Sequence, residues 1–318
     1  MQFQPSSSKS SGLTVVMVLP KIGFDPSEAA VTWQQLTQHG IRVCFATPDG
    51  QPAKADPVML TGEGLDWWGW VPLLKKLTLV GRMLGANSDA RQAYVAMSKT
   101  PEFQAPITYA AIDITTIEGL VFPGGHEIRM RPFLEDTRLR SIVLQAMQGP
   151  REQQLPVAAV CHGVLVLARS RDANGHSVLR DRTVTALPWS FEQKAWWIGR
   201  IFRFWNPNYY RTYLEASGQP AGYMSVEAEI RREQSEEGQF LNPPTTSPTF
   251  YYQTSGLHRD SNDDTRPSWV VRDANLVTAR WPGDVHQFGE TFASVVKDYG
   301  SRRPPLQTTV LHEEPSHV

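Results

Sequence analysis

The sequence predicts an α/β fold, a doubly wound and mostly parallel sheet sandwiched between helices and carrying helical covering insertions. Three observations carry this reading. Short apolar, β-branched runs recur along the chain without alternation, as in strands buried on both faces. Amphipathic stretches of helical length lie between them. The runs stop at proline or glycine, where the backbone changes direction.

The first run, Leu13-Thr-Val-Val-Met-Val-Leu-Pro20, reads as strand one. Pro26 and Ser27 then open an amphipathic helix through Gln38, closed by His39-Gly40, where glycine accepts the left-handed conformation that follows a helix. Residues 41–47 repeat the strand pattern and complete a right-handed β-α-β unit. Between Leu60 and Phe103 the apolar residues, including Trp67, Trp68, Trp70, Leu73, Leu74 and Leu77, return at helical spacing, which predicts a mostly helical insertion covering part of the fold. Residues 119–125 and 155–161 are further strands, with a helix over 132–147 between them. Residues 182–187 read as another strand, 191–201 as a helix, 269–280 as a hairpin turning at Asp273-Ala-Asn275, and 284–297 as the last helix. The stretch 206–267, rich in Pro, Ser, Asn and charge, is too long for a plain connection and reads as a second covering element or a partly disordered segment of the same domain. The expected organisation is a disordered lead-in over 1–12, one α/β domain over 13–300 with insertions at 60–105 and 206–267, and a loose tail over 301–318.

Composition fits a soluble globular chain: 318 residues, 41% hydrophobic and 20% charged. Lys+Arg 31 against Asp+Glu 32 leaves a net charge of -1, so the overall balance recruits neither nucleic acid nor an anionic membrane. The Ser-rich start has no secretory pattern, and no apolar run approaches the roughly 20 residues of a membrane span. Two cysteines, Cys44 and Cys161, cannot form a disulfide framework. A cytoplasmic, reducing location is expected.

The strongest chemical signal is Ala158-Ala-Val-Cys-His-Gly-Val-Leu165, an apolar strand that runs into Cys161 and Gly163 and at once into an apolar helix. Such a nucleophile elbow projects a side chain into a cleft while backbone N–H groups favour negative charge on sulfur, so Cys161 is expected to form a thiolate near neutral pH. Cys44, in mid-strand with no polar neighbour, reads as structural. His162 follows the cysteine and is placed to act as general base, oriented by a later carboxylate. Phe122-Pro-Gly-Gly-His126 ends a different strand, and its Gly124-Gly125 turn offers backbone donors for an oxyanion, although a mere tight turn explains it equally well. Trp189 and His126 are candidate pocket residues, while the aromatic cluster that follows Trp189 reads mainly as packing. His126, Glu127 and His162 lack a diagnostic metal spacing, and no metal site is expected. The segment 279–286 with His286 reads as structural, with Asp284 suited to capping the last helix.

The Cys161-His162-Gly163 elbow, the Pro123-Gly124-Gly125-His126 turn and Gly23-Phe-Asp-Pro-Ser-Glu28, taken in order, resemble the ThiJ/PfpI superfamily, also called the DJ-one superfamily. Its fold is flavodoxin-like and similar to class I glutamine amidotransferases. The large insertion and the Cys-His-Gly elbow look most like the branch of heat-shock chaperones and glutathione-independent glyoxalases. The resemblance implies that Glu28, twelve residues before Gly40, hydrogen-bonds the nucleophilic cysteine. A helix-start carboxylate is the compatible plainer role. It also implies that a carboxylate soon after Thr185-Ala-Leu-Pro188 completes a triad, which gives Glu192, with Asp181 as a substitute. Other members place a histidine before that proline where this chain has Leu187, which leaves His162 as base; related glutaminases use a late His-x-Glu, but His286-Gln287-Phe288 lacks the carboxylate.

Together these readings give a cysteine-dependent hydrolase or lyase using Cys161, His162, Glu192 and Glu28, with Gly124, Gly125 and the His162 backbone as oxyanion donors. It would act on small reactive carbonyls in a glyoxalase- or deglycase-like way. The alternatives are a stress-response chaperone or thiol redox sensor without turnover, and an amidase or peptidase of the same fold. No cofactor is required. The partners expected are a small carbonyl substrate and a second copy in a homodimer, with no nucleic acid and no membrane.

Overall fold

The computed structural model describes residues 12–302. The expected lead-in and tail therefore lie outside the described residues, apart from Gly12 and from Ser301 and Arg302, which finish the last helix. In chain order, β1 (Thr14–Val18) and β2 (Ile22–Phe24) lead into α1 (Pro26–Gln38), followed by β3 (Arg42–Thr47), β4 (Lys54–Ala55) and α2 (Pro57–Thr61). The first insertion supplies α3 (Val80–Leu84), α4 (Ser88–Met97) and α5 (Pro101–Gln104) before β5 (Ile107–Thr108) and β6 (Gly119–Phe122). Then α6 (Arg131–Leu134), α7 (Thr137–Ala146), β7 (Val157–Val160) and α8 (Val164–Ala168) precede β8 (Thr183–Val184) and α9 (Trp189–Phe202). The second insertion holds α10 (Val226–Glu233), β9 (Gln239–Phe240) and α11 (Phe250–Thr254), and β10 (Val270–Asp273), β11 (Leu276–Ala279) and α12 (Val285–Arg302) are the last elements among the described residues.

Seven strands form one sheet in the order β10-β11-β7-β6-β1-β3-β5. Each neighbouring pair is parallel except the β10–β11 hairpin. All residues of β6, β7 and β11 are buried, so helices cover both faces of the sheet, as expected for unbroken apolar strands. The helix α1 packs against α4 and α12, while α7, α8 and α10 form a second group. The expected parallel α/β architecture is present, and the carboxyl ends of β1, β6 and β7 come together where the chain reverses direction across the sheet.

Three local expectations are corrected, and an alternative left open for a fourth segment is decided. Residues 182–187 supply only β8, which pairs with β9 outside the main sheet, because the β10 hairpin already occupies the edge beside β11. The Thr183 amide instead donates to Asp273, and that of Thr185 to the Thr278 hydroxyl, both at 2.9 Å. The helix expected over 132–147 is broken into α6 and α7, since Asp136 accepts the amides of Arg138 and Leu139 and starts a new helix. In the first insertion, residues 62–79 form turns rather than helix. Gly62 and Gly64 take positive φ there, and Asp66 gathers the amides of Leu79, Val80 and Gly81. The segment 206–267, finally, is an ordered covering element with two helices and a strand.

Candidate active site

Cys161 follows the extended Val160 with φ 56°, a left-handed conformation that costs a non-glycine residue about 1–2 kcal/mol. This conformation turns the chain from β7 into the helical residues 161–168 and leaves the thiol at the carboxyl edge of the sheet. Glycine makes the turn possible. A Cβ on Gly163 would lie 2.1 Å from the Phe122 carbonyl oxygen, and one on Gly124 would lie 2.8 Å from the His162 nitrogen and 2.9 Å from Cys161 Cβ. The elbow and the 123–125 turn are thus packed backbone against backbone.

Glu28 is buried in the first turn of α1, behind Asp25, whose side chain accepts the amides of Ser27 and Glu28 at 2.8 and 3.1 Å. Glu28 Oε2 accepts the Gly124 amide at 2.7 Å. That amide is therefore committed to Glu28 and is not an oxyanion donor, which corrects the expectation for Gly124. Glu28 also interacts directly with the Cys161 sulfur, while Oε1 has no polar partner among the described residues. Burial, followed by the charge of Asp25, holds the Glu28 carboxyl well above its ordinary range. The thiol of Cys161 is likewise pushed well up, first by burial and then by Glu28. Both effects run against the thiolate that the elbow favours, while the His162 amide acts the other way and lowers the Cys161 pKa.

His162 Nδ1 stands 3.4 Å from Cys161 Sγ. Burial first, and then the nearby His126, Arg169 and Arg211, lower its pKa to about 3, so the imidazole is neutral. With its proton on Nε2, it presents Nδ1 to the thiol as an acceptor. Glu192 is also buried, but its carboxylate faces Arg211, with Nε 3.0 Å away, and the amide of Val226 at 3.2 Å. Among the described residues no hydrogen bond joins it to His162, which corrects its expected role in orienting the imidazole: the fully buried Arg211 draws the carboxylate to itself. The substitute, Asp181, is exposed and bonds Ser235.

His126 lines the same cleft, with its ring 4.6 Å from that of Tyr210 and 4.7 Å from that of Tyr209. Burial, then Arg203, lowers its pKa to about 3. Trp189 does not line the cleft. It borders a separate depression near Tyr223 and Glu227, with the Arg211 guanidinium 5.0 Å from its ring.

A family model described as ThiJ/PfpI family-like matches residues 19–225, well over half of the chain. The chain belongs to the ThiJ/PfpI family. An uncharacterized protein of Schizosaccharomyces pombe is 27% identical over 165 residues, which are 51% of this chain and 53% of that protein, so the match spans about half the length of the curated relative. Among solved structures, the Rapid Encystment Protein of Francisella tularensis has 16% identity and a TM-score of 0.53, covering 89% of this chain and 99% of its own. Glyoxalase III from Candida albicans has 14% identity and the same TM-score of 0.53, covering 89% of this chain and 97% of its own. At such identities the two structures share the fold.

In this ThiJ/PfpI protein the cleft above Cys161 measures about 950 Å³ including its open mouth. Gly125 borders it, and among the described residues no hydrogen bond takes the Gly125 amide. Both insertions supply walls that sequence reasoning missed. Met59, Met83 and Leu84 come from in and around the first, and Arg259 from the second. Arg259 donates to the carbonyls of Leu84 and Gly85 at 3.1 and 3.0 Å, joining the two insertions over the site. No local signal marks it, because its partners lie 174 and 175 residues away. Asp25 caps α1 directly before Pro26 and Ser27, where the helix start was expected. Asp284, expected to cap α12, instead forms a buried pair with Arg280, while Asp260 takes the amides of His286 and Gln287 and stands 3.3 Å from the His286 ring. Among the described residues no group of three or more His, Cys, Asp or Glu side chains is placed to hold a metal ion, and no helix is long and apolar enough to cross a membrane.

Proposed function

We propose that this ThiJ/PfpI protein is a cysteine-dependent enzyme acting on small reactive carbonyls, of the glyoxalase or deglycase kind. The observation that carries the reading is Cys161 itself, set in a strained elbow at the base of a cleft with the His162 acceptor 3.4 Å away and a proton-holding Glu28 against the sulfur. The fold shared with glyoxalase III makes a dicarbonyl the first substrate class to consider.

In this mechanism the thiol passes its proton to His162 Nδ1 as sulfur attacks the aldehyde carbon and a C–S bond forms. The carbonyl electron pair moves onto oxygen, with the amides of Gly125 and His162 as its donors in this reading, and the imidazolium returns the proton to give a neutral hemithioacetal. His162 then removes the C–H proton and delivers it to the neighbouring carbon, while Glu28 lends and regains a proton at the oxygens. The product of this step is the thioester of a 2-hydroxy acid. Water cleaves the thioester C–S bond, the thiol is restored, and the net conversion is dicarbonyl plus water to hydroxy acid. A thiol that must survive between turnovers fits a reducing, cytoplasmic setting.

The test is lactate formation from methylglyoxal by the wild-type protein and by Cys161→Ser. Loss of lactate in the variant supports the reading, and equal rates in both proteins remove it.

A further inference from the structure

The turns of the first insertion and the outer side of α9 leave large apolar side chains in solvent. Trp67 is 57% exposed, Trp70 61%, Leu73 90%, Leu77 59%, Trp197 54% and Ile201 51%. The two segments form one face: the Trp67 ring lies 5.9 Å from that of Phe202, and Arg203 Nη1 donates to the Gly64 carbonyl at 2.7 Å. Scattered exposed apolar residues are ordinary, but a contiguous face of this kind marks an interaction surface.

Charge selects the occupant. The exposed ionisable groups of residues 62–84 and α9 are Lys75, Lys76, Arg82, Lys194 and Arg200, and the acid accompanying them, Glu63, is half-buried 3.9 Å from Lys75. Asp66 and Glu192 are buried and committed to internal partners. Tryptophans with a polar N–H, leucines pointing outward and a fringe of lysine and arginine are the chemistry of a bilayer interface, where rings settle at headgroup depth and bases meet anionic lipid. The face is also continuous with the mouth of the cleft, since Met83, Leu84, Lys194 and Ile198 border both.

We propose that residues 62–84 and the outer face of α9 form a docking surface for an anionic lipid bilayer, seating the mouth of the Cys161 cleft against the membrane. The proposal revises the expectation of no membrane partner, which rested on net charge, and it holds whatever reaction Cys161 performs.

Flotation of the full chain with vesicles tests it. The protein floats with vesicles of mixed phosphatidylcholine and phosphatidylserine, less with phosphatidylcholine alone, and less again at high salt. Lys75→Gln with Lys76→Gln weakens binding to the anionic vesicles by about fivefold per charge. Trp70→Ser with Leu73→Ser removes binding to both kinds while leaving circular dichroism and Tm unchanged, because these side chains are already in solvent. Absence of flotation with anionic vesicles overturns the proposal. So does a dimer in light scattering that Trp70→Ser with Leu73→Ser converts to monomer without any vesicle binding in the wild type, which would make the face a contact between two copies.

Discussion

Glu28 Oε2 and the Gly124 amide meet at 2.7 Å, so one carboxyl both fixes the turn that borders the site and touches the sulfur of the nucleophile. In Glu28→Gln the amide oxygen still accepts from Gly124, but the neighbour can no longer become an anion next to the thiolate. The Cys161 thiolate should then appear at lower pH than in the wild type, and turnover should drop on the order of a hundredfold for want of the proton relay. Thiolate absorbance followed against pH reads the first effect and lactate formation the second. Superimposed titrations would reduce Glu28 to a helix-start carboxyl.

Glu192→Gln should act on stability. It leaves the fully buried Arg211 with Glu215, 2.7 Å away, as its remaining charged partner, so a loss of about 3 kcal/mol is expected in urea unfolding. The pH dependence of turnover should stay where it was, because the His162 imidazole does not bond Glu192. A shifted pH profile with unchanged stability would restore Glu192 as the orienting carboxylate.

Gly163→Ala should be severe, because its Cβ would meet the Phe122 carbonyl oxygen at 2.1 Å and neither backbone can retreat without opening the sheet. The expected loss is about 3 kcal/mol, read as a Tm lower by roughly 6–12 °C. A variant melting with the wild type would show that the elbow can relax.

The contribution of His126 and His162 to stability should vanish in acid. Folding lowers each pKa from about 6.5 to about 3, so between these values the unfolded chain binds protons that the folded one refuses. Their contribution is complete above pH 6.5 and declines as pH falls toward 3. Chemical unfolding at a series of pH values, in the wild type and in His126→Phe, should show a shallower acid decline in the variant. Parallel curves would mean that His126 does not resist protonation in the fold.

Much of the frame was legible because its signals are local. Val15 to Val18, Leu120 to Phe122 and Val157 to Val160 are buried on both faces, and their unbroken apolar runs say so in the sequence. The elbow was legible from Cys161 and Gly163 for the same reason, since a few adjacent residues determine the turn. Partnerships across the chain were not. Glu192 looked free to serve His162 until Arg211 and Val226 claimed it, and the Gly124 amide looked available until Glu28 took it. A sum over 318 residues also says nothing of where charges lie: Lys75, Lys76, Arg82, Lys194 and Arg200 are all exposed in the two segments that the docking proposal joins.

The strand order has a consequence for the growing chain. β7 delivers Cys161, yet its neighbour on one side, β11, is the last of the strands among the described residues to leave the ribosome. At roughly 5–20 residues per second, β7 presents an open, hydrogen-bonding edge for on the order of ten seconds before residues 276–279 can pair with it. Through that interval the nucleophile-bearing strand is the adhesive margin of a half-built sheet, so nascent chains that meet on a polysome are most exposed to misassembly beside the very residue on which the chemistry depends.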